Sequence, residues 1–351
     1  MIDDPLPRPK KRARRSARPA TAILFVLSIC LALATIEGLT RLFFPAFDPS
    51  GRFDFDYPVG TLVLGRPGTE ARQAKNTGDY DVAVSINRHG LRDANDISRA
   101  TADDLVIVGD SVAWGWGIEE GLRFSNLVEA MTGIRTFNLS APTDIEGYAS
   151  LLRYAQSLGA RIGRVIVAVS METDIGLYEP PPPTASPASH PRLPAVKTWL
   201  QTHSAAYIFA TSAIHQTAWL NALAVRMGLI IPNLEGIPPN DDIAQDIESS
   251  ADKLKAISDR YSTLAVLVPS RGLWVGSNRV AEDRVHRALV AALARRGIEV
   301  LDLRPLFERG GAPLSLHFAN DGHWNPRGHR LAAEAIVDRL RAHGRGDALR
   351  R

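Results

Sequence analysis

No stretch constrains the fold of this chain as much as Leu105-Val106-Ile107-Val108-Gly109-Asp110-Ser111. Four consecutive apolar residues, three of them β-branched, read as a short strand covered on both faces. Strands of that kind sit in parallel sheets with helices packed on either side. Gly109 then lets the chain turn sharply. The turn lifts the Ser111 hydroxyl out of the carboxyl edge of the sheet, where open α/β sheets hold their ligands. A serine there is a candidate nucleophile, provided that a base accepts its proton.

The rest of the C-terminal two thirds fits such a sheet. Further short apolar runs at 136–139, 164–170, 264–268 and 298–303 read as strands. Helical stripes at 122–131, 148–158, 243–260, 280–295 and 328–340 separate or follow them. This alternation predicts five parallel strands with helices on both faces. Residues 113–117 are expected to form a loop after the serine. Its Gly115 and Gly117 lack the third glycine and the lysine of a phosphate loop. The base is supplied far downstream, in Asp321-Gly322-His323-Trp324-Asn325-Pro326. That segment follows the last strand and precedes the last helix, so it lies at the same sheet edge as Ser111, although 212 positions separate Ser111 from His323. A neutral imidazole, with an ordinary pKa near ~6.5, suits a general base. Asp321, two residues earlier, can hold its tautomer and stabilise the imidazolium.

Upstream, the charge pattern speaks of a membrane. Residues 1–18 carry seven basic side chains against Asp3 and Asp4, a net of +5. The other 333 residues therefore stand at −2 within a chain total of +3. From Pro19 to Ile36 no residue is charged, and roughly 20 such residues cross a bilayer as a helix. Basic flanks stay in the cytoplasm, which predicts a single-pass anchor over 19–42 in the inner membrane, a cytoplasmic tail over 1–18 and a periplasmic remainder. A cleaved signal peptide is the competing reading, and no small-x-small site after the apolar run supports it. The basic tail would also suit nucleic acid, but the anchor separates it from the folded part, so no nucleic-acid partner is expected. Cys30 is the single cysteine, so no internal disulfide forms. Ile29 stands where a lipoprotein site wants a small residue.

Residues 43–104 are polar and punctuated by Gly and Pro, with one half-exposed strand at 79–86 and a turn at 87–90; they read as a small β-containing lead-in. After the third strand, the proline-rich run 179–187 is a linker. It opens a helical insertion over 176–240 that could form a lid. Glu172, Asp174, His190, His203 and His215 lack metal-ligand spacing. Neither a metal nor a cofactor is expected.

Three segments now carry a resemblance. Val108–Gly117 (VGDSVAWGWG), Phe137–Thr143 (FNLSAPT) and Asp321–His329 (DGHWNPRGH) resemble the motif blocks of the SGNH, or GDSL, hydrolase superfamily, in the family's order, over roughly 105–340. The stretch Ile86–Asp93 (INRHGLRD) is similar to one in membrane-anchored bacterial members. The resemblance implies a three-layer α/β/α sandwich around a five-stranded parallel sheet, over 105–345. It also implies hydrolysis or transfer of acyl esters on lipids, polysaccharides or small molecules. By it, Ser111 is the nucleophile, His323 the base and Asp321 the acid that orients the base. The spacing here is Asp-x-His rather than the commoner Asp-x-x-His, a pattern similar to polysaccharide O-acetyltransferase relatives, many of which place this pair before the serine.

The same resemblance implies an oxyanion hole made by Ser111, by the second block at Thr143 and by the third block at Thr173. Glycine and asparagine are usual at the last two. Thr143 keeps a backbone N–H, whereas a threonine hydroxyl at 173 is shorter than an asparagine amide. A lost donor typically slows such reactions by about 10²–10³, which predicts a slow hydrolase, a substrate-assisted site or a water-excluding transferase. Trp114, Trp116 and Trp324 are expected to line an acyl or sugar pocket, with core packing as the competing role. The expected activity is a membrane-anchored serine esterase or O-acyltransferase acting on acyl, chiefly acetyl, esters of a glycan or lipid. The alternative is a catalytically impaired scaffold of the same fold that binds glycan or lipid.

Overall fold

A long uncharged run satisfies its backbone groups only within itself, as a helix. In the computed structural model, which describes residues 18–175, 193–229 and 243–348, that run is helix α1 (Arg18–Phe43). Its segment Thr21–Phe43 is long and apolar enough to cross a membrane or to serve as a signal sequence. The chain divides into two compact units, residues 1–50 with 195–210, and residues 51–194 with 211–351.

The second unit begins with two small antiparallel hairpins. β1 (Phe55–Val59) pairs with β2 (Leu62–Gly65), and β3 (Glu70–Ala74) with β4 (Asp81–Ser85). Only β4, with Val82 and Val84 buried between exposed neighbours, has the alternation that marks a strand in sequence. β1 carries Asp56 and Pro58, and β3 buries only Gln73. Their pairing partners, not their own patterns, make them strands.

The main sheet follows. β5 (Leu105–Gly109) leads into a single helical turn, α2 (Ser111–Trp114), then α3 (Phe124–Thr132), β6 (Thr136–Asn138), α4 (Ile145–Ser157) and β7 (Arg164–Ser170). Helices α5 (Leu193–His203), α6 (Ala205–Gln216), α7 (Ala218–Arg226) and α8 (Ile243–Ser258) come next. The chain closes with β8 (Ser262–Val268), α9 (Arg279–Arg295), β9 (Glu299–Asp302), α10 (Arg304–Arg309) and α11 (Pro326–Ala348). The five strands are parallel, in the order β6-β5-β7-β8-β9. Successive side chains on a strand point to opposite faces, and two separate cores result. Val106, Val108, Val165, Val167 and Leu267 pack with Leu151, Leu254 and Leu289 of α4, α8 and α9. Leu105, Ile107, Ile166, Ala168 and Val266 pack with Phe124, Val128 and Ile336 of α3 and α11. This is a three-layer α/β/α sandwich. The chain runs from β5 outward to β6 and then back across to β7, so the topological switch point lies at the carboxyl end of β5.

Two details differ from the sequence expectation. Residues 113 and 114, expected in a loop, belong to the helical turn α2, because Asp110 caps that turn by accepting the Val112 N–H at 2.9 Å. α10, too short for a periodic signal, was not foreseen. The proline-rich run 179–187 and His190 lie outside the described residues.

In the first unit, the end of α1 organises the start of α6. Glu37 accepts the N–H groups of Ala205 and Ala206 at 2.9 and 3.1 Å and the Ser204 hydroxyl at 2.8 Å. It thereby satisfies donors that a helix N-terminus leaves unpaired. Arg41 bonds Glu37 and Asp48, each at 2.7 Å, and the carbonyl of His203 at 2.7 Å. Phe209 packs against Phe44 and Phe47.

Candidate active site

The turn that carries Ser111 allows no side chain at its first residue, Gly109. A Cβ on Gly109 would stand 2.5 Å from the Ala113 Cβ and 3.0 Å from the Ala168 Cβ. Glycine therefore permits α2 to fold back directly over the end of β5. Ser111 is the first residue of α2, so its N–H is one that the helix cannot pair. Behind the turn, the buried Arg92 donates to Gly115 O at 2.6 Å and lies over the Trp114 ring. Arg123 donates to Arg92 O at 2.6 Å and Trp114 O at 3.2 Å. Asp93 accepts the Asn138 N–H at 2.5 Å, and Asn138 donates to Ala113 O at 2.8 Å. The stretch Ile86–Asp93 is thus a brace for the nucleophile turn.

His323 arrives from the opposite end of the sheet. Asn325 caps α11, accepting from Arg327 N at 2.9 Å, with Pro326 at the first helical position. Its amide donates to Ser315 O and His317 O at 2.9 and 2.7 Å. Phe318 N donates to His323 O at 3.0 Å. These bonds close the loop and aim His323 inward. His323 Nε2 lies 2.8 Å from Ser111 Oγ, and Nδ1 bonds Asp321 Oδ1, which also accepts the His323 backbone N–H at 3.0 Å. An ionised carboxylate only accepts, so Nδ1 carries the proton and Nε2 accepts from the serine. Burial by itself would raise the Asp321 carboxyl. The hydrogen bond and charge of His323, with the Lys75 ammonium, outweigh burial and hold it far below the usual carboxylate range.

The sheet order brings the other blocks to the same edge. Thr143 follows β6, and Thr173 follows β7, on either side of β5. The Thr143 side chain fills the space over Gly147, where a Cβ would meet its Oγ1 at 1.8 Å. The Thr173 hydroxyl donates to Asp110 Oδ2 at 3.2 Å. It is therefore committed to that carboxylate, and the expectation of a Thr173 side-chain donor in the oxyanion hole is corrected. Of the three tryptophans expected to line a pocket, only Trp116 reaches the site, stacked on His323 at 5.4 Å between ring centres. Trp114 and Trp324 are 2% and 1% exposed. Trp114 packs among Val84, Ile86, Phe53 and Phe55, and Trp324 against Phe307. An indole without free surface cannot meet a substrate, so these two are core residues.

Sequence reasoning missed several neighbours of the dyad. Lys75 Nζ pairs with Asp321 Oδ2, and Tyr80 Oη donates to the same oxygen at 3.3 Å. Trp116 Nε1 donates to Tyr80 Oη at 2.7 Å. Arg271, just after β8, donates to Asp321 O at 2.7 Å. Glu172, after β7, is raised by burial, while the charges of His323 and Arg271 pull it down. Lys75 and Tyr80 come from a polar segment with no motif around them, and nothing local marks them.

A family model described as the SGNH hydrolase-like domain of the acetyltransferase AlgX matches residues 261–350, which include the Asp321–His323 loop. The match supports reading this chain as an enzyme acting on ester bonds, as a hydrolase or an acyltransferase. Solved structures similar to it include a lipolytic protein of the G-D-S-L family from Veillonella parvula, 14% identical over 67% of this chain and 96% of that one, with a TM-score of 0.40. A carbohydrate esterase family 2 enzyme with a carbohydrate binding domain from Corynascus thermopiles is 12% identical over 69% and 67%, with a TM-score of 0.41. A lipase/acylhydrolase from Enterococcus faecalis is 10% identical over 68% and 96%, with a TM-score of 0.39. No curated protein matches this chain by sequence.

Proposed function

We infer that this chain is a membrane-anchored serine esterase or O-acyltransferase of the SGNH type, acting on acyl, chiefly acetyl, esters of a glycan or lipid. The observation that carries the reading is the unbroken run from Ser111 Oγ through the His323 ring to Asp321 Oδ1. Ser111 Oγ attacks the acyl carbonyl as its proton passes to His323 Nε2. The N–H groups of Ser111 and Thr143 receive the oxyanion. Collapse expels the alkoxide, which takes the proton back from His323. An acceptor hydroxyl then loses its proton to His323 and attacks the acyl-serine, and Ser111 is regenerated. Water as acceptor gives hydrolysis; a sugar or lipid hydroxyl gives transfer. Asp321 stabilises the imidazolium formed in both halves. The match of residues 261–350 to an acetyltransferase domain supports acetyl as the acyl group.

Helix α1 serves as the anchor in this reading, with the basic tail in the cytoplasm and the catalytic unit in the periplasm. Thr173, tied to Asp110, leaves the oxyanion hole to backbone donors, which fits slow turnover or a water-excluding transferase. The same observation favours a second reading, a scaffold that binds such esters without turnover.

The full chain in detergent, treated with a fluorophosphonate probe and an aryl acetate, separates the two. We expect labelling and turnover, with turnover reduced roughly 10⁴-fold or more in Ser111→Ala and His323→Ala. A wild type as inert as Ser111→Ala would establish the scaffold.

A further inference from the structure

We propose that Lys75 is a positioning residue of the catalytic base: paired with the outer oxygen of Asp321, it leaves that carboxylate a single oxygen with which to hold His323. The proposal rests on Ser111, His323 and Asp321 acting as the triad. Asp321 Oδ1 is taken up by the His323 ring and its backbone N–H. Oδ2 would otherwise be a buried charged oxygen with few partners, since Asp321 is only 6% exposed, and such a group is costly to leave unpaired. Lys75 and Tyr80 fill that need together.

The turn between β3 and β4 delivers both residues and is built to dock. Lys75 N donates to Tyr80 O at 3.1 Å, and Gly78 N to Lys75 O at 3.0 Å. Asn320 N, in the base's own loop, donates to Asp79 Oδ1 at 3.1 Å. The Tyr80 ring lies 5.1 Å from that of Phe318. On the nucleophile side, Gly117 N donates to Gln73 Oε1 at 2.8 Å. A Cβ on Gly117 would strike the Tyr80 ring at 2.5 Å. One hairpin turn therefore touches both the nucleophile loop and the base loop, and its cation faces the junction.

The electrostatic surroundings set the direction of the effect. Around Asp321 and His323 stand Asp79 and Tyr80 from the hairpin, Asp110 from the nucleophile turn, Glu172 from the end of β7, and Arg271 from the end of β8. His317 and His329, from the base loop and α11, lie within electrostatic range of His323. Removing the Lys75 charge leaves this site more negative. By Coulomb's law the imidazolium is then favoured over the neutral base, and the carboxylate gains freedom to swing.

The test uses the full chain in detergent and aryl acetate kinetics as a function of pH. In Lys75→Met, kcat/KM near neutral pH should fall roughly 10–100-fold, as for other residues that orient a functional imidazole. The acid limb of its profile should move up by about one pH unit, and Lys75→Arg should restore most of both. A wild-type rate and profile in Lys75→Met would overturn the proposal. So would a uniform loss with an unmoved acid limb that arginine does not rescue. Should Lys75→Met fail to fold, Tyr80→Phe carries the test, since it strips one hydroxyl from the same oxygen. A smaller upward move of the acid limb supports the proposal, and an unmoved limb sinks it. Fluorophosphonate labelling of the wild type, but not of Ser111→Ala, tests the triad separately; its absence would remove both.

Discussion

Gly109 shows how little freedom the nucleophile turn has. The space where a methyl group would go is already held by Ala113 and Ala168, and overpacking of this kind typically destabilises by about 1–3 kcal/mol. Gly109→Ala should lower the unfolding free energy by that amount. It should also cut kcat more than it raises KM, because pushing Ala113 away moves the helical turn that carries Ser111. Thermal melts alongside steady-state kinetics measure both, and an unchanged kcat would mean that the turn relaxes without moving the serine. Asp110 shares this economy: it caps α2 and accepts the Thr173 hydroxyl. Thr173 thus supports the turn instead of the oxyanion.

At the scale of elements, the join between β8 and α9 contains a buried acid outside the proposed triad. Burial pushes the Glu282 carboxyl up to about 7, while the Ser270 hydroxyl pulls it down. The folded protein therefore keeps a proton that the unfolded chain releases near its ordinary value of 4.5. Between those two values the folded state binds more protons, so stability falls as pH rises and levels off above about 7. Glu282→Gln should match wild type at pH 4 and exceed it at pH 8 by on the order of 3 kcal/mol. Parallel denaturation curves at the two pH values check this; equal curves at pH 8 would show Glu282 to be ionised without penalty. Elements also explain which motifs were readable. Asn325-Pro326 carries the start of α11 in capping chemistry that is local in sequence. β1 and β3 carry no such signal, because their strand character comes from the partner across the hairpin.

For the whole molecule, the proposed orientation of α1 across the inner membrane can be read by chemistry. Cys30 is the only thiol. In a Cys30→Ser background, Ser16→Cys should resist a membrane-impermeant maleimide added outside inner-membrane spheroplasts, and Ser50→Cys should react. The reverse pattern would invert the proposed orientation, and reaction of both would point to a cleaved or peripheral α1. Patterns within the chain were enough to read the five-stranded α/β sandwich and the apolar N-terminal helix, and to place Ser111, Asp321 and His323 at one sheet edge. They sufficed because binary patterns and short motifs are properties of neighbouring residues, and because a parallel sheet must gather its carboxyl ends on one edge. Tertiary structure alone decided that Trp114 and Trp324 are core, that the Thr173 hydroxyl belongs to Asp110, and that Lys75 meets Asp321 across 246 positions. Each of those outcomes depends on which surfaces meet after the layers stack. Burial and long-range charge pairing are set by that meeting, and no local pattern encodes them.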